Sequence, residues 1–142
     1  REFALLADGL AFEVDRQEKL WRHIENFTLS FLAQHEDGAV VRASCTLKEL
    51  EAVMESWTGP AIARAGNGVC YGYFEQSPSA AEWMAGAMAR ASHAVVEFAP
   101  DRYRRKMALW ASVGGDFEVM KRVKNLFDPR NLLNRGRLYR RI

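Results

Sequence analysis

Polar side chains recur at alternate positions in four short segments whose composition is typical of β-strands. In chain order they are Arg42, Ser44, Arg64, Tyr71, Tyr73 and Glu97. Because side chains alternate across a strand, all of them can lie on one face of a sheet that has helices on its other face. Arginines there could bind a carboxylate through two hydrogen bonds, and tyrosines could donate a hydrogen bond to it. Two interpretations stay open: a solvated sheet face, or one wall of a substrate cleft against a second domain.

The cleft interpretation predicts substrate-binding residues and leaves the catalytic residues unknown. The predicted substrate-binding set is Arg42, Arg64, Tyr71, Tyr73 and Glu97. The histidines at positions 23, 35 and 93 are scattered, and no cysteine or histidine stands near them at ligand spacing, so we expect no metal site. No glycine-rich phosphate loop opens a helix, and Gly66-Asn67-Gly68 is typical of a hairpin turn between two strands.

Hydrophobic periodicity and the capping and turn residues predict the elements that would position these side chains. Helices are predicted at 15–34, 46–57, 79–91, 101–110 and 116–127. Strands are predicted at 39–45, 61–65, 69–75 and 93–99, with a further edge strand at 3–7. The last helix is predicted to bury Phe117, Met120, Val123 and Phe127.

This order of elements predicts an α+β fold, namely a ferredoxin-like sandwich in which a short, mostly antiparallel sheet carries helices on one face. The chain has 142 residues, 49% of them hydrophobic, which is enough for one domain with its own core. No apolar run approaches the ~20 residues of a membrane helix, so we expect no membrane span. Because the chain starts at Arg1 without a Met, we expect it to be cut from a longer protein.

The two cysteines, Cys45 and Cys70, lie in apolar segments of predicted strand. A secreted disulfide scaffold would contain more cysteines, so we expect buried free thiols in a reducing, cytoplasmic compartment. A bond between the two stays open at this point.

Charge is distributed unevenly along the chain. Residues 1–101 carry 8 basic and 15 acidic side chains, a net charge of −7, whereas residues 102–142 carry 12 basic and 3 acidic ones, a net charge of +9. The C-terminal third is therefore expected to lie against something negative: nucleic acid, a phosphate-bearing cofactor or an acidic protein face.

The most specific pattern lies at residues 120–138, MKRVKNLFDPRNLLNRGRL. A helix with a lysine is followed by Phe127-Asp128-Pro129, a short spacer and Leu133-Asn134-Arg135-Gly136-Arg137. This run resembles the closing signature of the FAD-linked oxidases of the vanillyl-alcohol oxidase superfamily, F/L-D-P and then L-N-P-G-R/K. Trp110, Gly114-Gly115 and Asp116 resemble the lead-in of the same family. The chain is similar to the short, metal-free members of this family, such as the FAD-binding subunit of glycolate oxidase, over about residues 93–138.

The resemblance implies that residues 1–142 are the C-terminal substrate-side (cap) domain of a longer FAD-dependent oxidoreductase. Such a parent oxidises a 2-hydroxy acid such as glycolate or lactate, or a related alcohol, by hydride transfer to the flavin. FAD would be bound mainly by an N-terminal FAD-binding domain, the partner in cis without which the cap is inactive. An iron–sulfur or second flavin subunit could be a further partner.

The resemblance also implies a role for the tail, residues 131–142. It would leave the cap after Asp128-Pro129 as an extended strip and pack on the flavin domain, with Asn134 and Arg137 as cofactor-binding residues. Arg135 replaces the usual proline of L-N-P-G, which changes how the tail enters that domain. The histidine-rich metal motif of one branch of the family, G-H-x-G-D-G-N-x-H, is missing, so a bound divalent metal is not expected.

A rival interpretation is a non-catalytic, ferredoxin-like binding module whose basic tail contacts nucleic acid or a protein. An RNA-binding version needs exposed aromatic side chains on central strands. Tyr71 and Tyr73 match this in part, but the K/R-G-F/Y-G/A-F-V-x-F/Y signature is absent. We therefore expect no nucleic-acid partner.

Overall fold

The computed structural model describes residues 13–87, 91, 93–111 and 113–139. The chain divides into two compact units, Arg1–Gln34 and His35–Ile142. In the first, helix α1 (Val14–Gln34) confirms the predicted helix at 15–34. The ring centroid of Phe27 lies 5.6 Å from that of His23 and 6.1 Å from that of Phe31, so successive turns share one aromatic stripe. The edge strand expected at 3–7 lies outside the described residues.

The second unit is an antiparallel sheet with helices. Its elements are β1 (Ala39–Ser44), α2 (Leu50–Glu55), β2 (Ala61–Arg64), β3 (Val69–Phe74), α3 (Ser77–Ala85), β4 (His93–Phe98), α4 (Asp101–Arg104) and α5 (Phe117–Phe127). The four strands stand in the order β2-β3-β1-β4, and every pair is antiparallel. From β1 to β4 the order is β-α-β-β-α-β, the pattern of ferredoxin-like folds. The predicted α+β fold with a short antiparallel sheet is confirmed.

The hydrophobic core includes one face of the sheet and apolar side chains of α2 and α3. Val41 and Ala43, alternate residues of β1, are fully buried in it. The rings of Trp57, just after α2, and Trp83, on α3, pack with centroids 4.7 Å apart. The Trp83 indole N–H donates to the hydroxyl oxygen of Ser56 at 3.0 Å, which satisfies this polar group inside the core.

The predicted turn between β2 and β3 is present. Gly68 has a φ of +67°, in the left-handed region that glycine adopts without steric cost. The side-chain oxygen of Asn67 accepts a hydrogen bond from the Val69 amide at 3.1 Å, which closes the turn. The hairpin register that results places Arg64 opposite Val69.

Three predicted helices differ from the observed ones. The helix predicted at 46–57 is shorter in the structure, where α2 spans only Leu50–Glu55. The helix predicted at 79–91 begins at Ser77, because Pro78 is compatible with a first helical turn. The Ser77 amide and hydroxyl both donate to the Asp37 carbonyl at 2.8 Å and anchor this start. The helix ends at Ala85, and residues 88–90 of the predicted range lie outside the described ones.

The helix predicted at 101–110 ends at Arg104, as α4. Residues 109–111 instead pair with β4: the Val96 amide donates to the Leu109 carbonyl at 2.8 Å, and the Ala111 amide donates to the Ala94 carbonyl at 2.9 Å. The open edge of β4 offers backbone hydrogen bonds that override the helix propensity of this segment.

Helix α5 has the predicted bounds within one residue, but the prediction of its buried face was wrong in part. Phe117 is buried, whereas Val123 is 51% exposed and Phe127 is 80% exposed. The periodicity identified an apolar face correctly, but periodicity does not say what covers that face. In the described part of the chain, the face beyond the first turn of α5 is open.

Cys45 and Cys70 are both buried and free, which confirms the expected state of the thiols. Burial raises the pKa of the Cys70 thiol to about 11, and the neighbouring Cys45 adds to the shift.

Candidate functional site

The structure brings most of the predicted substrate-binding residues to one sheet face, opposite the core. Arg42 on β1 stands opposite Tyr71 on β3 and Val95 on β4. The guanidinium carbon of Arg64 lies 5.5 Å from the centroid of the Tyr71 ring, a cation–π arrangement. We call this side of the sheet the polar face.

Glu97 lies on the polar face by alternation with Val95, beside a β-bulge between Val40 and Val41 that shifts the register with β4. Its carboxylate lies 2.8 Å from Nε of Arg42. The buried Nε therefore forms an ion pair with Glu97, but the angles are not those of a hydrogen bond. The Arg42 side chain is still 39% exposed. Glu97 therefore orients Arg42, and part of the arginine side chain stays exposed and accessible to a ligand.

One end of the polar face is closed. Val40 and Tyr73 are buried, with 1% and 3% of their surface exposed. The Tyr73 amide donates to the Pro60 carbonyl at 3.0 Å. Of the two predicted tyrosines, Tyr71 is thus the more accessible to a ligand.

A cleft of about 340 Å³ lies at the other end of the polar face, beside Arg42. Ser44 and its cross-strand partner His93 line it together with Arg42. Asp116 and Tyr139 line it from the C-terminal segment. Arg64 and Tyr71 are not among its lining residues, so the predicted site residues divide between the cleft and the open sheet surface.

Sequence reasoning missed three polar residues of this cleft, His93, Asp116 and Tyr139. His93 could have been found, because it opens β4 on the same face as Ser44 once the strand register is known. Asp116 and Tyr139 carried no such signal, since they come from a segment that folds back after β4. That return depends on the pairing of residues 109–111 with β4 and on the Tyr139 ring, which lies 5.6 Å from Trp110 and 5.7 Å from Phe117.

The predicted cofactor-binding residues border two larger, open clefts. One, of about 880 Å³, is lined by Lys106, Gly114, Phe117 and Arg137 among others. The other, of about 670 Å³, is mostly apolar and lies between α5 and the tail. Asn134 and Arg137 both line the second cleft.

The described part of the tail, residues 131–139, is a series of turns, and the expectation of an extended strip was wrong for these residues. Asn131 and Asn134 have φ values of 48°, and Gly136 has a φ of 66°, all in the left-handed region. Asparagine and glycine tolerate this region better than other residues do. The Arg137 amide donates to the Asn134 carbonyl at 3.1 Å and closes one of the turns. Residues 131–137 are exposed, and Leu138 and Tyr139 are half-buried.

Asp128 organises the start of the tail. Its carboxylate oxygens accept hydrogen bonds from the amides of Leu132 at 2.9 Å and Leu133 at 2.8 Å, and the Lys124 ammonium contacts one of them. The Lys124 hydrogen bond and then the two amides lower the pKa of the Asp128 carboxyl to about 2. The sequence marked Asp128-Pro129 as a helix stop but did not indicate this role.

Residues 102–138 match the model of the family described as FAD linked oxidases, C-terminal domain. The match covers about a quarter of the chain and includes the run of residues 120–138 that carried the resemblance. It supports the assignment of this segment to the C-terminal domain of FAD-linked oxidases. That family implies an oxidoreductase as the parent protein, FAD as its cofactor and an N-terminal FAD-binding domain in cis. The comparisons with curated proteins and with solved structures found no match.

The described residues can border a flavin cofactor but do not enclose one. Asn134 and Arg137 stand at open clefts, and both can hydrogen-bond an anionic or polar group. No three side chains of His, Cys, Asp or Glu in the described ranges stand together as metal ligands would. Among the described helices, none has the length and apolar character needed to cross a membrane.

Proposed function

We propose that this chain is the substrate-side cap domain of an FAD-dependent oxidoreductase that oxidises a 2-hydroxy acid, such as glycolate or lactate, or a related alcohol. The observation that carries the proposal is the cleft beside Arg42. One wall is the polar face of the sheet, and Asp116 and Tyr139 of the C-terminal segment complete it. Asp116 belongs to the stretch that matches the FAD-linked oxidases, and Tyr139 follows it directly.

The residues of the cleft suit a small acid. Arg42 binds the carboxylate, and Glu97 holds the arginine in place. The hydroxyl groups of Ser44 and Tyr139 can hydrogen-bond the hydroxyl group of the substrate. Trp110 and Leu138 add apolar surface to the lining of the cleft. When bound, FAD supplies the chemistry by accepting a hydride from the substrate carbon.

The partner of this domain is the N-terminal FAD-binding domain, without which the cap is inactive. The surface that supports this part of the proposal is apolar and exposed, and it combines the outer side of α5 with the start of the tail. Its main exposed side chains are Val119, Val123, Leu126, Phe127, Leu132 and Leu133. A cluster of large, exposed apolar side chains is typical of a surface that binds another protein or domain. Asn134 and Arg137 at its edge contact FAD or the domain that holds it. An iron–sulfur or second flavin subunit would receive the electrons.

The rival binding module lacks a supporting observation. Tyr73 is buried, and Tyr71 lies against the Arg64 guanidinium. The central strand β3 therefore does not present two free rings on which bases could stack.

The test uses the full-length protein and the variant Arg42→Ala. Loss of a charge-assisted hydrogen bond of about 1.5–3 kcal/mol should raise KM for a short 2-hydroxy acid roughly 10- to 150-fold. Flavin content should not change. Arg22→Ala is the matched control, because Arg22 is an exposed arginine on α1 that pairs with Glu18 at 3.6 Å. Equal KM values for Arg42→Ala and the control would contradict the proposal.

A further inference from the structure

Asp128 stands at a position that local electrostatics disfavours. It follows the last residue of α5, where the helix dipole is negative and a carboxylate is destabilising. Its side chain is also only 8% exposed, although burying a charge is costly without partners. The partners come from Lys124 and from the amides of Leu132 and Leu133. The contacts of the Asp128 carboxylate therefore stabilise the start of the tail rather than the end of the helix.

Lys124 bonds to the same part of the tail. Its ammonium group contacts the Asp128 carboxylate and also donates to the Leu133 carbonyl at 2.6 Å. The ion pair thus holds Leu133 from both sides: Asp128 accepts from its N–H, and Lys124 donates to its C=O. The Lys124 side chain is 19% exposed, so the pair is well shielded from solvent.

We infer that Lys124 and Asp128 are positioning residues that hold residues 131–137 in their binding shape before the flavin-binding domain docks. The inference rests on the proposed function, in which this segment faces that domain. The Asn131 amide, which donates to the Asp128 carbonyl at 2.9 Å, continues the same network into the first left-handed residue of the tail. A segment that is ordered in advance loses less conformational entropy on docking, and so binds more tightly.

Hydrogen exchange of the full-length protein tests the inference. In Lys124→Met and Asp128→Ala, the Leu132 and Leu133 amides should exchange at least about tenfold faster, the change that corresponds to about 1.4 kcal/mol. Lys124→Arg, which keeps a cation at the site, should restore most of the protection. Amides of β1 and β3 should exchange as in the wild type, which shows that each variant is folded. Lys121→Met is the control, because Lys121 pairs with Glu118 at 2.9 Å on the same helix and does not contact the tail amides.

Exchange rates that match the control in both variants would overturn the inference. A second measurement separates it from the proposed function. Weaker FAD retention in Arg137→Ala, with unchanged Leu133 exchange, is expected if the segment faces the flavin domain. Suppose instead that Arg137→Ala retains FAD as the wild type does, while the Leu133 amide exchanges faster in Lys124→Met. This result would reject the flavin-binding domain as the docking partner and would still support the positioning role of Lys124.

Discussion

The ring of Trp57 occupies the space in which a side chain at Gly72 would begin: a Cβ atom at Gly72 would lie 1.1 Å from Cε3 of the indole. Gly72 is in the middle of β3, where glycine otherwise weakens a strand. The absence of a side chain at this position lets the tryptophan pack directly on the sheet backbone. Packing against Phe74, at a centroid distance of 5.9 Å, holds the ring there.

Gly72→Ala should therefore destabilise the fold by about 3 kcal/mol or more, because the indole must leave a packed core. Urea unfolding of the variant and the wild type measures the difference. Gly66→Ala is the matched control, since a Cβ there meets no atom within 4 Å, and it should change stability by less than about 1 kcal/mol. Equal midpoints for the two variants would show that the Trp57 ring is not fixed on Gly72.

The Asp128 carboxyl should titrate at about 2, below its ordinary value of 3.8, because the Lys124 ammonium and two tail amides bond to its charged form. A lowered pKa stabilises the ordered tail at pH values above 3.8. This contribution falls as the pH drops from 3.8 and is lost at about 2. The carboxyl carbon resonance of Asp128, followed by NMR against pH, measures the midpoint. Lys124→Met should move the midpoint upward, and a wild-type midpoint near 3.8 would argue against the Lys124 contact.

The Cys70 thiol should resist alkylation in the native protein. Its raised pKa, about 11, keeps it protonated at pH 8, and burial blocks the reagent. The same shift stabilises the fold fully below the ordinary value of 9.0, and the effect is lost as the pH rises toward 11. Mass spectrometry after iodoacetamide treatment should find Cys70 labelled only once the protein is unfolded. Rapid labelling of Cys70 under native conditions would disprove this burial.

Because Asn134 has a left-handed backbone conformation, alanine and glycine at this position should affect FAD retention of the full-length protein to different extents. Asn134→Ala loses the side chain and strains the backbone by about 1–2 kcal/mol, so FAD retention should fall roughly 5- to 30-fold. Asn134→Gly loses the same side chain but keeps the backbone conformation, so its loss should be smaller. KM for the substrate should change little in either variant. Equal FAD retention in the wild type and both variants would show that Asn134 does not contact FAD or the domain that holds it.

The sequence predicted the sheet well because its signals were local. The turn at Gly66-Asn67-Gly68 and the alternation within each strand set the register, and with it the shared face of Arg42, Tyr71 and Arg64. These elements depend on neighbours a few residues away, which a periodic pattern records directly.

The parts that could not be predicted depend on distant partners. Residues 109–111 have the local preference of a helix, yet they pair with β4 because that strand has a free edge. The cleft could not be predicted for the same reason, because Asp116 and Tyr139 come close to Arg42 only after the chain has folded back. The roles of Asp128 and Lys124 depend on hydrogen bonds to tail amides and carbonyls, for which residue types alone carry no pattern.

The pairing at residues 109–111 also protects one edge of the sheet. A strand at the margin of a sheet exposes unpaired N–H and C=O groups that can recruit a strand from another molecule. At β4 the Val95–Trp110 bridge and its two flanking hydrogen bonds occupy such groups. The opposite margin, β2, is only four residues long and ends in Arg64, features that discourage edge-to-edge pairing. Residues 109–111, which belong to the segment that resembles the FAD-linked oxidases, thus also cover one edge of the sheet. A chain that ends before them would leave the edge of β4 unpaired and prone to aggregation.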